Sequence, residues 1–170
     1  MNEKAAALAE RLIRNFNTSD LKHFVRSERY ESHGSRLSQG TAARKLAMSV
    51  DTVPPGKLTC PYHFHHAEEE IFIVIEGTGT LRVAGEMLPL KAGDVVFIPT
   101  GPEYPHHIIN TSDAPLKYLS IGTNEPLEIC EYPDSGKYLA TAGSGQPGAA
   151  PAFDIIHRKD AGIDYWEGEA

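Results

Sequence analysis

Five of the chain's eight histidines crowd into two short stretches, His63, His65 and His66 in the first and His106 and His107 in the second. The first stretch also carries the acidic run Glu68-Glu69-Glu70, directly before the apolar segment Ile71 to Ile75. Residues two apart on an extended chain point to one face, so His63 and His65 present their imidazoles together. Glu70 follows after a short turn that can swing a carboxylate beside them. The second stretch, Gly93 to Asn110, runs from an apolar segment through a turn into His106-His107 and can supply a third imidazole. Neutral imidazoles with one carboxylate suit divalent Fe, Mn, Ni, Cu or Zn, whereas Ca and Mg take oxygen ligands.

The remaining chemistry-bearing residues have plainer readings. His66 and His107 each adjoin a candidate ligand and point the opposite way on a strand, which predicts exposed or supporting roles. His23, His33 and His157 have no motif around them, and Glu68 and Glu69 read as a solvated turn. Cys60 is expected to be a packed thiol rather than a nucleophile. Gly77-Thr78-Gly79 lacks the following Lys-Ser/Thr and helix of a phosphate loop, so it reads as a hairpin turn.

The elements that must position these groups are mostly strands. Glu3 to Arg14 holds Ala5, Leu8, Ala9 and Leu12 on one helical face with neither Gly nor Pro, which predicts an amphipathic N-terminal helix. From Arg29 onward Gly and Pro punctuate short segments rich in β-branched and apolar residues: Ala43 to Val53, Glu70 to Glu76, Gly79 to Val83, Val95 to Pro99 and Leu116 to Gly122. Many short strands with no second helix predict an antiparallel sandwich or barrel. The expected organisation is a helical extension over 1–28, a β-barrel over 29–139, a flexible Gly/Ala/Pro linker over 140–152 and a tail over 153–170. Phe153, Ile155, Ile156, Tyr165 and Trp166 predict that this tail docks on the barrel or on a neighbouring subunit.

With these residues in place, the sequence resembles the cupin superfamily. Gly56, His63, His65, Glu70 and Gly77 match its first motif, and Gly93, Pro99, Gly101, His106 and Asn110 match its second. The spacers from Gly56 to His63 and from Gly101 to His106 are longer than the family's commoner ones. A shorter register would put Tyr104 in the place of the third histidine, but only His106 keeps three residues before Asn110. Among the three acids only Glu70 leaves six residues before Gly77. The resemblance implies a mostly β fold, the double-stranded antiparallel β-barrel or jelly roll. It also implies one divalent metal on His63, His65, Glu70 and His106. Octahedral coordination leaves positions for substrate, O2 or water, whereas tetrahedral zinc would be closed by four ligands and purely structural. More narrowly, the chain resembles uncharacterised bacterial single-domain cupins named for their likeness to mannose-6-phosphate isomerase.

Composition narrows the partners. A formal charge of -7 repels polyanions, which argues against nucleic acid. No stretch approaches the roughly 20 apolar residues of a membrane-spanning helix. Two cysteines without a C-x-x-C pair, and no signal-peptide pattern, point to the cytoplasm. The expected function is Lewis-acid, isomerase-type chemistry on a small polar, sugar-derived metabolite, with Glu103, Tyr104 or His107 moving protons. An Fe(II) dioxygenase and a non-catalytic ligand sensor are the alternatives, and a homodimer is the expected assembly, since cupins commonly pair.

Overall fold

The computed structural model describes residues 2–143 and 150–169. Helix α1 (Glu3–Leu12) is capped by Asn2, whose side chain accepts from the Ala5 amide, and none of its residues is buried. The strands that follow are β1 (Lys22–Val25), β2 (Glu31–Arg36), β3 (Leu46–Val53), β4 (Phe64–His65), β5 (Glu70–Glu76), β6 (Thr78–Val83) and β7 (Glu86–Lys91). They continue as β8 (Val95–Ile98), β9 (His106–Ile109), β10 (Leu116–Thr123), β11 (Leu127–Tyr132), β12 (Lys137–Ala142) and β13 (Phe153–Arg158). A six-stranded sheet runs β1-β2-β3-β10-β5-β8, a four-stranded sheet β13-β12-β11-β4 and a three-stranded sheet β7-β6-β9. The fold is mostly β, a jelly-roll barrel of antiparallel sheets with one N-terminal helix. Among the described residues no helix is long and apolar enough to cross a membrane.

The core explains why β5 is an unbroken apolar run. Phe72 and Val74 point inward to a cluster with Leu81 of β6, Leu90 of β7, Ile108 of β9 and Leu116 and Tyr118 of β10. Ile73 and Ile75 point outward and pack with Val50, Leu119, Phe16 and Leu21. A strand covered on both faces loses the alternation of a half-exposed one.

Three boundaries differ from the sequence reading. The first 28 residues are not helical throughout, because β1 pairs antiparallel with β2 and extends the main sheet. The expected linker begins too early: Ala140, Thr141 and Ala142 lie in β12, paired with Ile129, Glu128 and Leu127. Small residues carry little strand propensity, and here the register against β11 imposes the extended form. Residues 144–149 of that stretch lie outside the described residues. The tail meets the barrel of its own chain through its backbone, β13 pairing with β12. Its aromatic residues Tyr165 and Trp166 stay exposed.

The motif's outer residues close the barrel. The Gly56 amide donates to the Asn110 carbonyl at 2.8 Å, and the Asn110 amide donates to Lys57 at 3.0 Å. Asn110 is fully buried. Its side-chain amide donates to the carbonyls of Val53 and Ala114, both at 2.8 Å, and its oxygen accepts from the amide and hydroxyl of Ser112. Gly77 has φ +82, and a Cβ there would fall on the Pro115 carbonyl oxygen, so this turn needs glycine. Asn110→Ala strands buried carbonyls and donors together, and urea unfolding is expected to show a loss of about 3 kcal/mol. A loss below about 1 kcal/mol would mean that water replaces the side chain.

Candidate metal centre

Three segments bring the site together. His63 lies just before β4, Glu70 opens β5 and His106 opens β9. The His63 amide donates to the His106 carbonyl at 3.1 Å, and the His106 amide returns a bond to the His63 carbonyl at 2.7 Å. The Gly101 amide donates to the His65 carbonyl at 2.8 Å, which ties the loop before β9 to β4.

The side chains converge on one carboxylate oxygen. Glu70 Oε2 stands 2.8 Å from His106 Nε2, 3.4 Å from His65 Nε2 and 3.8 Å from His63 Nε2. Ligand atoms of His63, Glu70 and His106 all lie within 4.8 Å of one another. Every imidazole is held from behind through its other nitrogen: His63 Nδ1 by the Pro61 carbonyl at 2.9 Å, His106 Nδ1 by the Tyr104 carbonyl at 3.0 Å, and His65 Nδ1 by Glu128 at 3.3 Å. These acceptors take the Nδ1 proton and aim the Nε2 atoms at the common point. His65 Nε2 is buried with no hydrogen-bond partner among the described residues. A buried, unpartnered nitrogen beside two more imidazoles and a carboxylate fits a divalent transition ion.

The charges in the metal-free protein are strongly coupled. Burial would raise Glu70, but the hydrogen bond from His106 and the close approach of His65 hold it well below the usual carboxylate range. Burial, together with the neighbouring His106 and His65, pushes His63 down to about 4, so it stays a neutral donor. Burial also works against His65, yet its bond to Glu128 and the negative charges of Glu128 and the nearby Glu70 raise it to about 10. Without metal, His65 is therefore an imidazolium clamped between two carboxylates.

Glu128 is the supporting residue that motif spacing could not find. It sits on β11, far from either histidine stretch in sequence, and accepts from the backbone amides of His66, Ala67 and Glu68 at 2.9 to 3.0 Å. Along β11 the usual pattern is reversed: Leu127 and Ile129 are exposed while Glu128 is buried. Cys130, two residues on, shares that inward face and approaches His63 and His65. Burial pushes both its thiol and that of Cys60 up to about 12, so both are protonated.

The other candidates fall elsewhere. His66 turns outward to Glu131 at 2.9 Å. His107 is corrected as a proton shuttle at this centre: it is buried on the opposite face of β9, edge-on to Tyr62 at 5.3 Å, because strand alternation sends it away from His106. Glu103 and Tyr104 lie on the exposed loop before β9, and Tyr104 reaches the centre through its carbonyl. A cavity of about 270 Å³ opens beside Glu70 toward β2, and a second of about 230 Å³ lies against His63, His65 and Cys130.

Two outcomes follow from this geometry. Glu128→Gln keeps an acceptor but removes the charge behind His65, and competition with a metal-sensitive dye is expected to show about tenfold weaker metal affinity. Unchanged affinity would sever the link between Glu128 and the centre. In chelator-treated protein, His65 adds stability that is present below its ordinary value near 6.5 and lost as pH rises toward about 10. His63, depressed to about 4, adds stability that is present above 6.5 and lost as pH falls toward about 4. The thermal midpoint of metal-free protein should therefore peak near pH 6.5, and a midpoint still climbing toward pH 9 would contradict the clamped imidazolium.

Comparison with known proteins agrees with this fold. Residues 49–122 match the family model described as the cupin domain. An uncharacterised protein from Methanocaldococcus jannaschii is 35% identical over 89 residues, 52% of this chain and 62% of its own length. The oxalate-binding protein of Thermotoga maritima is 36% identical over 69 residues, 41% of this chain and 54% of its own length. The chain thus spans 62% and 54% of the length of these two relatives. A solved sugar phosphate isomerase from Silicibacter pomeroyi superposes with a TM-score of 0.72 at 23% identity, over 86% of this chain and 92% of that one. That likeness shows the fold alone. Residues 49–122 thus match the cupin domain, and the barrel that carries them has the jelly-roll fold of the solved structure.

Proposed function

We propose that this chain holds one divalent transition metal on His63, His65, Glu70 and His106, and that it acts on a small polar metabolite by isomerase-type chemistry at a carbonyl. The observation that carries the reading is the convergence of three Nε2 atoms on Glu70 while every Nδ1 is held by its own acceptor. When bound, such an ion supplies Lewis acidity to a carbonyl or enediol oxygen.

The chain's own residues set the conditions for that chemistry. Glu70 stays ionised among the imidazoles and supplies the negative donor. His63 is buried in its neutral form and ready to coordinate. Glu103 and Tyr104, on the loop that leads into His106, are the remaining candidates to move a proton at the mouth. The fold that the chain shares with a sugar phosphate isomerase from Silicibacter pomeroyi is compatible with carbonyl chemistry.

Elemental analysis of untagged protein tests the reading. Near-stoichiometric Fe, Mn, Ni or Zn is expected in the natural protein, with at least about tenfold less in His63→Ala and in His106→Ala at unchanged circular dichroism. His66→Ala should keep its metal, since His66 faces Glu131. Full occupancy in the His63 and His106 variants would refute the ligand set.

A further inference from the structure

We propose that Arg36 recognises a terminal anionic group, a phosphate or a carboxylate, on the small molecule held at the metal centre. The inference rests on the metal-centre reading and adds the charge of the substrate.

The argument starts from the register of the main sheet. Arg36 of β2 pairs with Ser49 of β3, Ser49 with Ser120 of β10, and Ser120 with Phe72 of β5. Directly opposed residues in antiparallel strands share a face, and Phe72 belongs to the core, so this row points into the barrel. The row above it contains Ala47, Gly122 and Glu70. With alanine and glycine in the middle, no large side chain stands between Arg36 and Glu70, and the cavity of about 270 Å³ occupies that space.

Three donors around the cavity, on Arg36, Ser38 and Ser120, lack acceptors among the described residues, whereas Ser49 donates to Asp51. Arg36, an exposed residue at the cavity's edge, is the one cation among its lining residues and has no salt bridge or side-chain hydrogen bond among the described residues. Ser38 Oγ accepts from the Met48 amide at 3.1 Å, which leaves its proton free, and Ser120 has no side-chain partner among the described residues. Glu68 also lines the cavity, but one of its oxygens is taken by the Glu125 amide at 3.1 Å. A guanidinium and two hydroxyls facing open space match a ligand end rich in acceptors and negative in charge. Since the protein as a whole carries -7, this placement of a single cation at the mouth is what would select an anion. Arg36 and Glu70 stand on strands three interstrand spacings apart, roughly 15 Å between backbones. A ligand touching both needs an oxygen-bearing head at the centre and its anionic group several bonds away.

Calorimetry on metal-loaded protein tests this with three probes: dihydroxyacetone phosphate, uncharged dihydroxyacetone and malonate. The natural protein should bind one of the charged probes at least tenfold more tightly than the uncharged one, and which of them it prefers separates phosphate from carboxylate. Arg36→Gln should abolish the preference, while Arg36→Lys, which keeps the charge, should retain most of it. Equal binding by Arg36→Gln, or no charge preference in the natural protein, would overturn the proposal. Metal content measured on the same samples separates the two readings. A natural protein that takes up no metal sinks the metal reading, and its binding of inorganic phosphate, lost in Arg36→Gln, would still support the anion site.

Discussion

The reciprocal backbone pair between His63 and His106 is the constraint on which the site depends. Two amide-to-carbonyl bonds join the segment before β4 to the start of β9, strands that belong to different sheets. Side chains on such a pair leave the backbone on the same side, so both imidazoles enter the barrel at one level. Glu70 reaches that level from the six-stranded sheet, whose register with β10 sets it opposite Gly122. Three sheets thus each supply part of one centre, and none of them could assemble it alone.

Burial gives the centre its electrostatic character. A lone ionised carboxylate among apolar residues would be very costly, and Glu70 is tolerated because three imidazoles surround it. In the metal-free protein the compensating charge is a proton on His65, steadied by Glu128. A divalent ion would take the place of that proton, which couples metal uptake to proton release. Glu128 is held in turn by three successive backbone amides, so the loop 66–68 cannot shift without loosening the acceptor behind His65.

Strand β5, the clustering of the histidines with Glu70 and the hairpin glycine were legible in the sequence because each is a local pattern. The period of two places His63 and His65 together, and the turn at Gly77 requires a positive φ. The expected segments around β3, β5, β6, β8 and β10 correspond to strands within a few residues. Glu128 was illegible for the opposite reason. Its role comes from β11 lying beside β4, a pairing across more than 60 residues that no local period encodes. Strand β12 was hidden by composition, since Ala140 to Ala142 look like linker until a partner strand fixes their conformation. His107 shows where chemistry-based reading goes astray: a histidine next to a ligand is a tempting proton carrier, yet adjacency on a strand guarantees the opposite face.

The interior is layered in a way that confines chemistry to the mouth. Lower down, Val74, Leu116 and Tyr118 fill the barrel with apolar surface. The row of Phe72 already turns polar toward β2, through Ser120, Ser49 and Arg36, and the row above it carries Glu70 and Gly122. The change comes from a few residues at the ends of β2, β5 and β10. The apolar floor keeps water from beneath the imidazoles, which strengthens every charge interaction above it. Stability and reactivity are thereby assigned to different levels of the same strands, and a substitution at the mouth can alter what is bound without emptying the core.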